Sequence, residues 1–134
     1  MKPEIWGPHA WIFLHSITLE YPDYPTYEDK QNMTTFINSL KHVLPCHKCR
    51  INFNEHLNKY PLTDNILNSK PNLIKWLIDI HNSVNKITNK KELSHEEALT
   101  QLLKLYEPQD NTVFYIFIIL IIIVCVYLIK RKYF

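Results

Sequence analysis

Glycine is nearly absent: Gly7 stands alone among 134 residues. Together with the scarcity of alternating apolar and polar positions, that lack argues against β-sheet architecture, which needs turn residues at regular spacing. Helices remain. Charge of one sign is lacking too, with fifteen Lys and Arg set against thirteen Asp and Glu. Without Lys130, Arg131 and Lys132 the preceding chain has twelve basic residues and is almost neutral. Neither the balance nor the spread of charge supplies a basic face, so nucleic-acid binding drops out as a function class. No apolar segment follows Met1, since MKPEIWGPHA turns polar and proline-bearing at once, and a secretory signal is not expected. Cysteine is scarce, with three in all.

One long apolar run is present. VFYIFIILIIIVCVYLI, from Val113 to Ile129, has about 17 residues, the lower limit for a helix that spans a bilayer. It reads as a membrane anchor. The chain then divides into a domain over 1–107, a polar linker over 108–112, the anchor over 113–129 and a basic tail over 130–134. Topology signals conflict: the basic tail favours a cytosolic C-terminus, whereas an anchor without a leading signal leaves the preceding domain in the cytosol. A cytosolic domain is the expectation.

Proline and cap residues mark the helices. The first is expected from near Pro8, suited to an opening turn because its missing N–H has no partner there, and carries Trp11, Leu14, His15 and Thr18 until YPDYP stops it. The second runs from Thr26 to Leu44 with Met33, Phe36, Ile37 and Leu40 on one stripe, ended by Pro45. A third starts at Cys46 and reaches Tyr60, aligning Cys49, Phe53, His56 and Leu57. The fourth, capped by Ser69, turns Leu73, Trp76, Leu77, Ile80, His81 and Val84 inward. A short fifth opens with a Ser94–Glu97 capping box and stops before Pro108. The fold class expected is all-α: a four-helix bundle plus a short fifth helix, followed by a C-terminal transmembrane helix.

The chemistry concentrates in LPCHKCR, where Cys46 and Cys49 sit at a helix N-terminus. Unpaired backbone N–H groups favour negative charge there, as do Lys48 and Arg50, so a thiolate is stabilised. A two-residue gap lets the sulfurs meet in a disulfide. Zinc would need four ligands, and the seven histidines supply no H-x₃₋₅-H pair after the cysteines. A purely structural bridge gains little from so short a loop. Redox work is favoured, yet the strands of a thioredoxin-like host are missing, and a chain without a second cysteine pair suggests a bound cofactor as electron acceptor.

Three stretches together resemble the Erv/ALR family of FAD-linked sulfhydryl oxidases. WGPHAWIFLHSITLEYPD, Trp6 to Asp23, is similar to its W-G-P-x-x-W-x-x-L-H opening helix, PCHKCR to its redox pair, and HNSVN, His81 to Asn85, to its H-N-x-V-N flavin motif. The resemblance covers roughly Trp6 to Tyr106 and implies FAD at the mouth of the bundle. It implies that Cys46 meets incoming protein dithiols and Cys49 lies against the flavin, with electrons passing on to molecular oxygen to give hydrogen peroxide.

The resemblance also implies a cofactor set of Gly7, Trp11, His15, Cys49, Phe53, His56, His81, Asn82, Asn85, Lys86 and Lys90; no metal is expected, for want of the ligand spacing noted above. Trp11 and His15 would meet the adenine end, Phe53 and His56 the ring system, His81, Asn82 and Asn85 polar edges, Lys86 and Lys90 the pyrophosphate. Gly7 is expected to serve backbone geometry. The alternative for the aromatic and histidine positions is ordinary core packing.

The shuttle cysteine pair and the structural bridge found in many cellular members are missing, and Ile87 stands where a lysine is common. The layout most resembles the short oxidases of large cytoplasmic DNA viruses. That implies a partner protein with its own CxxC, a homodimer, and a virion or host endoplasmic-reticulum-derived membrane as an alternative setting. A non-enzymatic anchored helical adaptor and a zinc-binding module are the rival functions.

Overall fold

Two prolines govern the opening helix. In the computed structural model, which describes residues 1–108 and 111–133, α1 runs Pro3–Leu19 with Pro3 in its first turn. The expected start near Pro8 is corrected: the rule that prolines open helices applies to Pro3, and Pro8 lies inside the helix. Pro8 gives up a bond to the Glu4 carbonyl, but both residues are exposed and water can serve that oxygen. Gln109 and Asp110 of the expected linker, and Phe134 of the basic tail, lie outside the described residues.

Local chemistry sets the other helix starts. At the head of α2, Tyr27–Val43, the Thr26 hydroxyl accepts the Asp29 N–H and the Asp29 carboxylate accepts the Thr26 N–H. α3 spans His47–Lys59 with Cys46 as N-cap. A one-turn α4, Asp64–Leu67, was not expected. α5, Lys70–Ile87, is capped by Ser69, and α6, His95–Lys104, by the Ser94–Glu97 box. α1, α2, α3 and α5 are the four long helices of the bundle, and α6 is the short fifth. Among the described residues there is no strand.

α5 is the axis of the core. Leu73, Leu77 and Ile80 are fully buried, each stabilising the fold by about 2 kcal/mol through apolar burial. Around them gather Leu14, Met33, Ile37, Phe53 and Trp76. The Trp76 indole donates to the Tyr60 carbonyl at 2.9 Å, and His56 meets Ser83, so α3 and α5 run antiparallel. Tyr21 reaches from the end of α1 to the Leu67 carbonyl at 3.0 Å, holding α4 in place.

The chain forms two units, Met1–Leu103 and a second from Lys104 onward. The second contains α7, Thr112–Tyr133. Its Thr112–Arg131 stretch, 20 residues long, contains an 18-residue window with a mean hydropathy of 3.1. A helix of that length spans about 30 Å, the thickness of a bilayer's hydrocarbon core.

Candidate active site

Cys46 and Cys49 form a disulfide with their Cα atoms 5.1 Å apart. The turn that allows this is the start of α3: Cys46 is extended, and from His47 onward the chain is helical, which places Cys49 in the first turn. The Cys46 sulfur also accepts the Cys49 N–H at 3.2 Å. Beneath the pair, the Arg50 guanidinium donates to the Leu44 carbonyl at 2.6 Å, fastening the first turn of α3 to the end of α2. Both cysteines are half-buried and Lys48 is exposed. A zinc site would need both thiolates free, and the disulfide joins them. Among the described residues no cluster of three or more His, Cys, Asp or Glu is arranged to hold a metal.

A second cluster lies between α1 and α5. The Trp11 and His81 rings stack with centroids 4.0 Å apart and planes 9° from parallel. His15 Nε2 lies 3.1 Å from His81 Nδ1, one donating and the other accepting. Burial pushes the pKa of His15 down to about 4. His81 is likewise pushed down to about 4, by burial first and then by the charges of His15 and Lys90. Both rings are therefore neutral at pH 7. His15 Nδ1 is buried and has no partner. The one-turn spacing that suggested Trp11 and His15 share a face brings both to His81, a meeting the sequence does not specify.

The end of α5 folds back on itself. Asn89 adopts a left-handed conformation, φ 55°, with its own N–H donating to the Lys86 carbonyl and the Lys90 N–H donating to Asn85 at 2.8 Å. This is a Schellman termination built on asparagine where glycine is usual. It keeps Lys90 near enough for its charge to act on His81. Asn82 ties down the same loop: its amide donates to the Leu93 carbonyl at 2.8 Å and accepts the Leu93 N–H at 3.0 Å. Both ends of the Asn82 side chain thus serve the loop. Lys86 and Lys90 are exposed, and Asn85 is half-buried.

Phe53 is 5% exposed and belongs to the core cluster. His56, one turn further along α3, approaches the Ser83 hydroxyl at 2.9 Å through Nδ1, while its Nε2 is buried without a partner. Burial lowers its pKa, with Glu55 raising it and Lys59 lowering it by smaller amounts. Gly7 corrects an expectation. It has no positive φ, so backbone geometry does not demand glycine, and a methyl group added there would meet nothing within 4 Å. Ser83, Asn89 and Leu93 were missed as site-shaping residues, and Arg50, expected only as a nearby positive charge, also ties down the turn. Only Asn89 had a signal, as an asparagine just past the end of an apolar stripe.

Two concave surfaces lie elsewhere. One of about 270 Å³ is lined by Ile17, Tyr21, Asp29, Met33 and Phe36, and one of about 340 Å³ by Tyr27, Lys30, Leu62 and Leu67. Neither touches the cysteines or the Trp11–His81 stack. Those two rings are in direct contact, so a third ring enters between them only if a side chain rotates.

A helical bundle with a CxxC disulfide at a helix head, together with buried histidines of unmet hydrogen-bonding capacity, defines a class: a small all-helical thiol–disulfide protein. The sequence pattern of the Erv1 / Alr family matches residues 8–104, and the chain belongs to that family. It is 53% identical over 112 residues to Probable FAD-linked sulfhydryl oxidase R368 of Acanthamoeba polyphaga mimivirus, covering 84% of this chain and 78% of that one. To the FAD-linked sulfhydryl oxidase of African swine fever virus (isolate Pig/Kenya/KEN-50/1950) it is 36% identical over 92 residues, covering 69% and 75%. The crystal structure of the FAD binding domain of Erv1 from Saccharomyces cerevisiae is similar at a TM-score of 0.67 and 30% identity, covering 72% of this chain and 89% of that one.

Proposed function

We propose that this chain is an FAD-dependent thiol oxidase that makes disulfides in partner proteins through Cys46 and Cys49. The observation that carries the reading is the Cys46–Cys49 disulfide at the head of α3, in a chain whose relatives are named FAD-linked sulfhydryl oxidases. A substrate thiolate attacks the Cys46 sulfur, breaking the Cys46–Cys49 bond and leaving the electron pair on Cys49. The substrate's second thiolate then attacks its own first sulfur, closing the substrate disulfide and expelling Cys46 as thiolate. The N-cap position suits Cys46 to leave. Its sulfur accepts the Cys49 N–H and stands at the positive end of α3, which lowers a thiol's pKa and so speeds its departure.

Bound FAD would supply a two-electron acceptor for the pair held by the reduced cysteines, with oxygen as the final acceptor and hydrogen peroxide as the product. The residues present fit such a group. His15 Nδ1 and His56 Nε2 are buried and unpartnered, and a ligand that supplied partners would relieve both. Trp11, His15 and His81 offer flat faces, Asn85 an amide, Lys86 and Lys90 positive charge for phosphates, and Cys49 with Phe53 and His56 the α3 side. Gly7 adds an open backbone approach, and Asn82 holds the loop that carries Lys90.

A second copy of the chain packs against the outer face of α1, where Ile5, Ile12 and Phe13 are 70%, 40% and 60% exposed. α7 anchors the oxidase in a membrane with its domain on the cytosolic side, and a partner with its own CxxC brings reducing equivalents to Cys46. The test is the visible spectrum of the detergent-solubilised full chain and its oxygen uptake. Yellow protein absorbing near about 450 nm, with uptake driven by a dithiol, is expected. Colourless protein without uptake would leave the helical adaptor as the better reading.

A further inference from the structure

Ser83 fills the variable position of HNSVN, and nothing in the mechanism above uses it. Its hydroxyl oxygen lies 2.6 Å from the Ile80 carbonyl oxygen and 2.9 Å from His56 Nδ1. A hydroxyl has one proton to give. Two oxygens this close need that proton between them, and a carbonyl cannot supply it, so Ser83 donates to Ile80. Its oxygen can then only accept from His56, which places the imidazole proton on Nδ1. Burial lowers the pKa of the ring and so favours its neutral form, in which Nε2 holds a lone pair. That atom is shut away from solvent and has no partner, a state that folded proteins rarely leave unrelieved. His56 shares its side of α3 with Cys49 and Phe53, and Ser83 stands on the helix that also carries His81 and Asn85.

We propose that Ser83 is a positioning residue: it fixes His56 as the Nδ1–H tautomer and so makes Nε2 the hydrogen-bond acceptor for an N–H or O–H donor of the bound flavin cofactor. The inference rests on the FAD reading above. Flavin nucleotides present such donors in the imide N–H of the ring and in the ribityl hydroxyls. Without the Ser83 oxygen, the imidazole is free to move its proton to Nε2 and would then show a donor where an acceptor is needed.

The experiment compares the full chain in detergent with Ser83→Ala and Ser83→Thr. Long-range proton–nitrogen NMR correlations of the His56 ring report which nitrogen is protonated, and flavin fluorescence reports FAD affinity. In the unsubstituted chain Nδ1 is expected to be protonated and Nε2 bare. Ser83→Ala should shift the proton toward Nε2 and weaken FAD binding about five- to tenfold, the effect of one hydrogen bond. Ser83→Thr, which keeps the hydroxyl, should restore both readouts. A proton on Nε2 in the unsubstituted chain overturns the proposal whatever the variants do. So does a Ser83→Ala protein that binds FAD within about twofold of the unsubstituted chain, and in both cases the FAD reading stands. A chain that binds no FAD at all overturns that reading and this proposal together.

Discussion

Acidification from about pH 7.5 to about pH 5 is expected to weaken the helical domain through His15 and His81. Each imidazole is held near pKa 4 against an ordinary 6.5. The unfolded chain therefore binds protons that the folded chain refuses, between those two values. The contribution of each ring is fully present above about pH 6.5, declines as the pH falls, and is lost by about pH 4. For one ring the loss at about pH 5 comes to about 2 kcal/mol. Because the two rings touch, their losses do not add in full, and a combined effect of about 2–4 kcal/mol is expected. Against the roughly 5–15 kcal/mol that holds a domain together, that is large. Asp29 and Glu97 do not confuse the window, since hydrogen bonds from Thr26 and from Ser94 hold them below their usual carboxylate range. Urea unfolding followed by tryptophan fluorescence reads the effect, because Trp6, Trp11 and Trp76 all lie in the Met1–Leu103 unit. His15→Phe should flatten the pH slope. Equal urea midpoints at both pH values would refute the burial of these rings as neutral species.

Asn89→Val should destabilise the domain by about 1–2 kcal/mol, because a β-branched residue is strained in the left-handed conformation. Asn89→Gly should be neutral or better, and thermal unfolding compares the two. Arg50→Met removes the donor that holds the Leu44 carbonyl. A loss of about 1–3 kcal/mol in urea unfolding is expected, and no loss would show that this tie does not hold the turn beneath the disulfide.

The helices were legible where a cap residue preceded an apolar stripe, as at Thr26, Ser69 and Ser94. Pro8 misled because proline is tolerated wherever the carbonyl it abandons faces water, and the sequence does not say which of two nearby prolines opens a helix. α4 escaped notice because one turn carries no period, and its place is set by Tyr21 from a distant helix. In the site, CxxC and HNSVN were readable as motifs. Trp11 and His15 were readable as neighbours on one face. What the sequence could not give is partnership across helices: that His81 would stack on Trp11 and bond His15, that Asn82 would close a loop on Leu93, or that Ser83 would meet His56. Such pairings depend on helix rotation and register, which spacing along one helix leaves open.

The central claim is that Cys49 hands reducing equivalents to a flavin held in the same domain. An anaerobic titration with a small dithiol tests it most directly, read as bleaching of flavin absorbance in the FAD-loaded chain and in Cys49→Ser. The unsubstituted chain should bleach with about one equivalent of dithiol, while Cys49→Ser should keep its flavin and stay yellow. Bleaching of Cys49→Ser at the unsubstituted rate would contradict the account.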